Sequence, residues 1–416
     1  MTKLVPPPTE PSSSLDRDAV AAAPGSAGEV FHAFLKLGLT SFGGPVAHLG
    51  YFRDELVRRR RWIDDAGYAD LVALCQFLPG PTSSQVGFAI GLLRGGALGA
   101  LAAWAAFTLP SAILLVAFAL AADTFGGPAW EGVLHGLKLV AVAVVAQAVW
   151  GMARSLTPDG QRIGIALAAG LAVTLLSGSA GQVAAIIAGG LAGLFLCRSD
   201  TVVEPLRHSF RLPRPVGGIC LALFVLLLLG LPVLSAVTGL QGISLFDAFY
   251  RAGALVFGGG HVVLPLLEAE VVAPGWVTRD AFVAGYGAAQ SVPGPLFTFA
   301  AYLGAVVGPE PNSLWGATIA LVAIFLPGFL LLLGVLPFWD RFRRQSSAQA
   351  AMRGANAAVV GILAATLYSP VATSAILSTY DAALALAAFL LLVVWKTPPW
   401  IVVLATALIG AALAWI

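Results

Sequence analysis

Apolar residues run through this 416-residue chain in long blocks separated by short polar connections. Four blocks, at about 97–122, 129–153, 162–179 and 182–197, recur in the same order at about 313–338, 349–369, 374–395 and 398–416. Most approach the ~20 residues that a helix needs to cross a bilayer. A further block, at about 216–238, lies between the two sets. The pattern predicts an all-α integral membrane protein with two related halves and one unpaired transmembrane helix.

Short motifs repeat at nearly the same spacing as the apolar blocks. An offset of 215 residues aligns Phe-Gly-Gly-Pro at 42–45 with Phe-Gly-Gly-Gly at 257–260. An offset of 214 aligns Trp62 with Trp276, and Pro-Gly-Pro at 79–81 with Pro-Gly-Pro at 293–295. Glycine, proline and tryptophan at near-constant offsets indicate an internal duplication.

The duplication divides the chain into four parts. Residues 1–28 are rich in proline, serine and alanine and lack the basic-then-apolar order of a signal peptide, so we interpret them as a disordered cytoplasmic tail. Residues 29–198 form the first repeat, 199–245 a basic loop and linking helix, and 246–416 the second repeat.

Charge in the connecting loops predicts that the repeats have opposite orientations. Arg58 to Arg61 in the first repeat correspond to the acidic Glu268 to Val272 in the second. The end of the first span, Asp123 to Pro128, has no basic residue and corresponds to Arg341 to Arg344. Because basic loops stay in the cytoplasm, each repeat is expected to be inverted relative to the other. Inverted repeats are typical of secondary transporters.

Composition excludes several classes of function. The chain is 58% hydrophobic and only 11% charged, too little charge to cover a soluble protein of this size. The net charge of +2 includes no basic domain, so nucleic acid is not an expected partner. The three cysteines have no metal or disulfide spacing, and no catalytic constellation, metal site or cofactor motif is visible. We therefore do not expect an enzyme.

Four apolar segments, at about 29–57, 65–93, 246–270 and 280–307, are interrupted by glycine and proline. Proline removes a backbone donor and glycine relaxes φ, so a continuous helix through these points is not expected. The simplest arrangement makes each segment a re-entrant helix hairpin that enters and leaves on one face. Two full crossings per repeat by kinked helices remain the alternative.

Each break would place a helix N-terminus, with its free N–H groups and partial positive charge, at membrane depth. Pro45, Pro81 and Pro295 suit the first helical position. Several such ends near one point favour a dianion, although the motifs alternatively serve only as tight turns for packing. The candidate binding residues at the breaks are Gly43, Gly44, Pro45, Gly80, Pro81, Thr82, Ser83, Gly258, Gly259, Gly260, Gly294, Pro295 and Thr298.

Polar residues near the breaks extend the candidate site. Lys36 and Arg251 occupy equivalent positions in apolar segments, where a buried cation marks a pathway unless it snorkels to the interface. Gln76 and Gln290 each precede a Pro-Gly-Pro by three residues and could bind substrate or cap the turn.

Ionisable groups near the breaks have simpler alternative roles. His48 and His261 follow the first break of each repeat, as proton-sensitive or merely structural groups. Glu55 aligns with Glu270, and pairing of Glu55 with Arg58 or Arg59 is its simplest role.

These paired motifs resemble those of the chromate transporter family in its long, two-domain form, from about residue 29 to the end of the chain. The second copy departs from the first by having Gly260 where the first has Pro45. The resemblance implies export of chromate across the bacterial inner membrane, giving chromate resistance, with sulfate as competitor. The residues alone support only a tetrahedral oxyanion; a sulfate transporter, a membrane-embedded enzyme and a passive channel are the alternatives. The bilayer is an expected partner, and a homodimer stays open.

Overall fold

The computed structural model describes residues 25–42, 44–124, 127–176, 179–198, 212–257, 260–339 and 345–414. The predicted tail up to residue 24, Gly43, Gly258, Gly259 and the basic loop at 341–344 lie outside the described residues. Over the described ranges the fold is entirely helical. The expectation of a helical membrane protein is confirmed.

Seven α-helices lie in the described part of the first repeat. They are α1 (Ala27–Thr40), α2 (Gly44–Phe52, continued by a π-helical turn Arg53–Arg59), α3 (Asp65–Phe77), α4 (Thr82–Thr124), α5 (Pro128–Leu156), α6 (Gly160–Leu175) and α7 (Ser179–Leu196). The linking helix is α8 (Arg214–Thr238).

The second repeat follows the same plan. It begins with α9 (Gln241–Ala254). A continuous helical run follows, made of the 3₁₀ turn Gly260–Val262, α10 (Val263–Leu267) and the π turn Glu268–Val272. Next come α11 (Arg279–Ala289), the 3₁₀ turn Leu296–Thr298 that leads into α12 (Phe299–Val306), and α13 (Ser313–Val335). The last helices are α14 (Ser346–Thr366), followed by a π turn Leu367–Ala372 and one helical turn Thr373–Ala375, then α15 (Thr379–Val393) and α16 (Pro399–Leu413).

Five helical segments among the described residues are long and apolar enough to cross a membrane. They are Thr82–Ala121, Pro128–Leu156, Arg214–Thr238, Ser313–Phe338 and Ser346–Ala375. The first of these bends sharply, because Gly95 and Gly96 leave helical geometry. Helix α4 therefore consists of a short first part before Gly95 and a long second part after Gly96, as the apolar blocks predict.

Both broken segments of the first repeat double back to a common end. Glu29, at the start of α1, forms an ion pair with Arg94 at 3.1 Å. Trp62, which follows α2 and its π turn, lies 5.4 Å from the Arg94 guanidinium. Arg94 itself ends the first part of α4. Each segment thus leaves the Arg94 cluster, turns at its Gly/Pro break and returns.

The broken segments of the second repeat also double back to a common end, but glycine takes the place of Arg94 there. The backbone N–H of Gly308 donates to the carbonyl of Trp276 at 2.9 Å, and Gly308 aligns with Arg94 at the offset of 214. Gly242, at the start of α9, packs beside Pro311. Both ends of each broken segment again lie together.

The tips of the broken segments meet crosswise at the centre of the molecule. The N–H of Gly80 donates to the carbonyl of Val256 at 2.8 Å, and the N–H of Gly294 donates to the carbonyl of Ser41 at 2.8 Å. Val256 aligns with Ser41 and Gly294 aligns with Gly80, so the two bonds are equivalent. Each repeat therefore inserts its Pro-Gly-Pro turn against the other repeat's Phe-Gly-Gly break. We call this contact the break junction.

The last hairpin of each repeat packs on the other repeat. Helices α6 and α7 pack along α14, whereas α15 and α16 pack along α5. Glycines make these contacts close: Gly189 and Gly193 of α7 face Gly354 of α14, and Gly136 of α5 faces Thr406 of α16. Small residues allow helix backbones to approach inside a membrane. The exchange joins the repeats into one body around the break junction.

Candidate functional site

The first-repeat side of the break junction is built on the N-terminus of α4. Pro81 precedes the helix, and its carbonyl accepts from the N–H of Gln85 at 2.9 Å. Thr82, Ser83 and Ser84 fill the first turn and are each at most 9% exposed. A first turn of α-helix has N–H groups without intrahelical partners, and here hydroxyl groups accompany them.

Gln85 ties this turn to the other repeat. Its Nε2 donates to the carbonyls of Pro79 and Gly328, each at 3.0 Å. Gly328 follows the internal Pro327 of α13 and lies directly against Gly80 and Pro81. The equivalent contact on the other side places Gly294 against Ser111, which follows Pro110 in α4. The central turns of α4 and α13 thus form the walls of the break junction.

The second-repeat side of the break junction is less polar. Pro295 precedes the turn Leu296–Thr298, and its carbonyl accepts from the Thr298 hydroxyl at 2.8 Å. Gln290 ends α11, and its Nε2 is buried without a partner among the described residues. The Thr298 hydroxyl therefore donates within its own turn, whereas the side-chain amide of Gln290 keeps an N–H donor available for a ligand.

The remaining breaks bring two histidines to the break junction. Helix α2 begins at Gly44, with Pro45 as its second residue, and carries His48. His48 Nδ1 lies 3.3 Å from Ser83 Oγ, and its ring packs edge-on against Phe107. His261, which follows Gly260, pairs its Nδ1 with the Tyr286 hydroxyl at 2.6 Å. The Nε2 of His261 faces Gly44, since a Cβ there would lie 4.0 Å away.

The proline positions differ slightly from expectation. The prediction that each proline starts its helix is wrong by one residue: Pro81 and Pro295 precede their helical turns, and Pro45 follows the first residue of α2. For Pro81 and Pro295 the reason is that the proline carbonyl already accepts the first helical hydrogen bond, from the N–H of Gln85 and of Thr298, which is the role of the capping residue. The free N–H groups therefore begin at Thr82 and Leu296.

Buried polar atoms without hydrogen-bond partners concentrate on these segments and on the helices that pack against them. Leaving one such atom unpaired costs about 1–3 kcal/mol, so a cluster of them indicates a site for a polar ligand. Among the described residues, the unpartnered atoms there include Ser41 Oγ, His48 Nε2, Ser84 Oγ, Gln85 Oε1, Thr108 Oγ1 and Gln290 Nε2, and also Trp104 Nε1 of α4 and Asp247 Oδ1 of α9.

Lys36 and Arg251 lie in equivalent ion pairs. Lys36 Nζ is 3.1 Å from Glu55, and Arg251 is 2.8 Å from Glu270. Arg251 also contacts the buried Asp247 at 3.0 Å. Each cation therefore neutralises a carboxylate of its own broken segment, which sequence reasoning did not foresee.

Other predicted polar contacts are distributed differently from expectation. Glu55 also pairs with Arg59, as expected, and with Arg60, whereas Arg58 pairs with Asp54. Gln76 is exposed, unlike its counterpart Gln290.

Sequence reasoning missed Ser41, Thr108 and Ser111. All three are fully buried, and Ser41 and Ser111 flank the crosswise contacts of Gly294. Ser41 directly precedes the Phe-Gly-Gly motif, and Thr108 and Ser111 bracket a Leu-Pro pair that recurs at 326–327. Polar residues beside repeated motifs were therefore the available signal.

Comparison with known proteins identifies the family. The family described as Chromate transporter matches residues 28–194 and again 243–411. A probable chromate transport protein of Synechococcus elongatus is 30% identical over 80% of this chain and 81% of its own length. Chromate transport proteins of Pseudomonas aeruginosa and Cupriavidus metallidurans are 30% and 29% identical, over 86% and 79% of this chain and 84% and 79% of theirs.

No solved structure matches the chain. The relatives are transporters rather than enzymes, and the family matches fall on the two halves that the repeated motifs define. On this evidence the chain is a multi-pass membrane protein that belongs to the chromate transporter family.

Proposed function

We propose that this protein is a secondary transporter that exports chromate and binds the tetrahedral dianion at the break junction. The observation that carries the proposal is the equivalent pair of hydrogen bonds from Gly80 to Val256 and from Gly294 to Ser41. These bonds bring breaks from both repeats to one place, where transporters with repeated halves bind their substrates.

The chemistry of the break junction suits an oxyanion. A helix N-terminus carries about half an elementary positive charge, and α2 and α4 both begin here. Ser41, Ser84 and Thr108 add hydroxyl donors, and Gln290 adds an amide donor. None of these groups is acidic, so nothing among them repels a dianion. Lys36 and Arg251 pair with Glu55 and Glu270 of the same segments, so these carboxylates do not face the anion without a countercharge.

We also propose that the repeats, 29–198 and 246–416, are inverted with respect to each other. The path of the second part of α4 supports this orientation: it starts beside the Arg94 cluster, passes the break junction at Phe107 and Ser111, and reaches Tyr302 of α12 with Phe118. Helix α12 itself runs from the break junction toward Gly308. The two clusters of segment ends would then lie on opposite faces of the membrane, and the broken segments would be re-entrant.

Arginine distribution supports placing the Arg94 face in the cytoplasm. Arg58 to Arg61 and Arg94 lie at the ends of the first repeat's broken segments. The equivalent positions of the second repeat, Val272 to Gly275 and Gly308, carry no charge, and Arg279 at the start of α11 is the basic residue nearby in sequence. Basic residues stay on the cytoplasmic side. The N-terminus would therefore be cytoplasmic, in the inner membrane of a bacterium, with residues 199–245 supplying the crossing that inverts the second repeat.

The test is oxyanion flux in proteoliposomes containing the purified chain. We expect saturable chromate transport that sulfate inhibits, because the two ions share charge and shape. Ser83→Ala removes a hydroxyl beside His48 and is expected to weaken apparent chromate affinity about ten-fold, as loss of a hydrogen bond to a charged group does.

The matched control is Ser155→Ala. Among the residues that the structure describes, the Ser155 hydroxyl bonds only to the carbonyls of its own helix, at Gly151 and Met152. Absence of flux for both oxyanions would refute the transport function. Normal flux with unchanged affinity in Ser83→Ala would refute the location of the site instead.

A further inference from the structure

A groove of about 720 Å³ lies between α5 and α6 of the first repeat and α14 of the second. We call it the inter-repeat groove; its lining includes Trp150, Arg154, Ile163, Leu167, Leu171 and Ala364. Leu167 and Leu171 are more than 60% exposed, so the groove opens outward from the helix bundle. Nothing in the proposed transport mechanism uses it.

One end of the groove is charged. Arg154 lies in the last turn of α5, exposed, with its guanidinium 4.7 Å from the Trp150 ring. No carboxylate pairs with Arg154 within the described ranges. Arg162, in contrast, is bound by Asp159 at 2.7 Å, and its backbone N–H and guanidinium lower the pKa of that carboxyl. Arg154 is therefore the cation available to a ligand in the groove.

The shape of the groove determines which ligand fits. Its walls are almost wholly aliphatic, and a hydrated oxyanion would lose its water there without replacement hydrogen bonds. A phospholipid fits both the apolar wall and the charged end of the groove: an acyl chain covers Leu167 and Leu171, and the headgroup phosphate reaches Arg154. An arginine and a tryptophan at one end of an apolar surface are typical of the headgroup level of a membrane.

We propose that the inter-repeat groove binds an anionic phospholipid. Since the second part of α4 and then α5 cross in succession, the Arg154 end of α5 returns to the side of Arg94, where the chain is most basic. The lipid would contact helices of both repeats along the seam where Gly361 packs against Ala166 and Gly170. This site is independent of the identity of the transported ion.

The experiment uses tryptophan quenching by bromine-labelled acyl chains. The full chain is reconstituted with brominated phosphatidylglycerol or brominated phosphatidylcholine. The contribution of Trp150 is the difference in tryptophan fluorescence between the unmodified protein and the Trp150→Phe variant. We expect half-quenching of Trp150 at an about five-fold lower fraction of the anionic lipid, the ratio that one arginine supplies near a membrane surface.

Two variants separate the contribution of the lipid headgroup from that of the acyl chain. Arg154→Gln is expected to bring the ratio to about one, because the charge is lost while the exposed site leaves the core untouched. Ala364→Phe, on the exposed wall, should reduce quenching by both lipids by filling the groove. Arg162→Gln is the matched charge control and should keep the five-fold ratio.

A tryptophan elsewhere provides the reference for bulk lipid. Trp315 is 76% exposed at the start of α13, and its difference signal should be quenched equally by both lipids. Equal quenching of Trp150 by the two lipids, or a preference that survives Arg154→Gln, would overturn the proposal. Shielding of Trp150 from both lipids would also overturn it and would identify a second copy of the chain as the occupant.

Discussion

At the residue scale, equivalent positions in the two repeats keep equivalent partners. Lys36 aligns with Arg251, and Glu55 aligns with Glu270, and each cation binds the glutamate of its own repeat. The pairs join the two arms of a broken segment. A cation that neutralises a carboxylate on a broken segment raises the electrostatic potential there, and this is the effect that the proposed binding site would draw from Lys36 and Arg251 without contact between them and the anion.

Lys36 tests this effect cleanly. Glu55 keeps Arg59 and Arg60 when Lys36 is removed, so Lys36→Ala deletes one positive charge without leaving a buried carboxylate alone. We expect chromate export from cells to fall at least several-fold while the amount of inserted protein stays the same. Arg251→Lys, which preserves the charge beside Asp247, should lower export less than Arg251→Ala.

Lys396→Ala, at an exposed lysine between α15 and α16, serves as the control and should export chromate normally. Accumulation of chromate at the wild-type level in Lys36→Ala cells would remove Lys36 from the mechanism.

At the element scale, the break junction depends on glycines at the tips of the broken segments. Gly80 has φ of +119° and Gly294 has φ of +103°, values that residues with a side chain rarely adopt. A Cβ on Gly294 would also lie 2.8 Å from Ser111 Oγ and 3.2 Å from the Phe107 carbonyl. Both the backbone conformation and the close approach of α4 therefore require glycine.

Gly294→Ala should consequently lower stability and abolish transport together. Strained backbone alone costs about 1–3 kcal/mol, and displacement of Ser111 adds to that cost. We expect a lower unfolding temperature in detergent and loss of chromate flux. Gly230→Ala, in α8 with open space around the added methyl group, is the control and should change neither quantity. An unchanged unfolding temperature for Gly294→Ala would contradict the observed packing at the junction.

At the scale of the whole molecule, each repeat depends on the other. The α6–α7 hairpin packs on α14, the α15–α16 hairpin packs on α5, and the tips of the broken segments cross at the centre. A transporter built this way can expose its centre to either face by moving one repeat against the other. That mechanism requires the two clusters of segment ends to face opposite sides.

Cysteine labelling measures the required orientation. In a chain without Cys75, Cys197 and Cys220, we expect single cysteines at positions 60 and 343 to react only from the cytoplasm. A cysteine at position 273, exposed near the Trp276–Gly308 end, should react only from outside. Labelling of 60 and 343 from opposite faces would refute the inverted arrangement.

The sequence by itself determined the helical membrane class, the duplication and the positions of the breaks. Long apolar blocks leave a chain no alternative to helices in lipid, and glycine and proline interrupt helices through local backbone geometry. These effects act over a few residues, so periodicity and motif spacing reveal them. The apolar blocks at 97–122 and 313–338 therefore correspond closely to the long part of α4 and to α13.

Only the tertiary structure decided which breaks touch and which polar groups already have a hydrogen-bond or ion-pair partner within the protein. The crosswise bonds of Gly80 and Gly294 join residues more than 170 positions apart, and no local pattern encodes such a pairing. The ion pair of Lys36 is likewise not encoded locally. Lys36 is an isolated cation in the sequence, and it pairs with Glu55 only because its broken segment doubles back. Ser41 and Thr108 likewise gain importance only because packing buries them beside the partner repeat. Long-range contacts depend on the shape of both repeats together, and that shape is a property of the folded molecule.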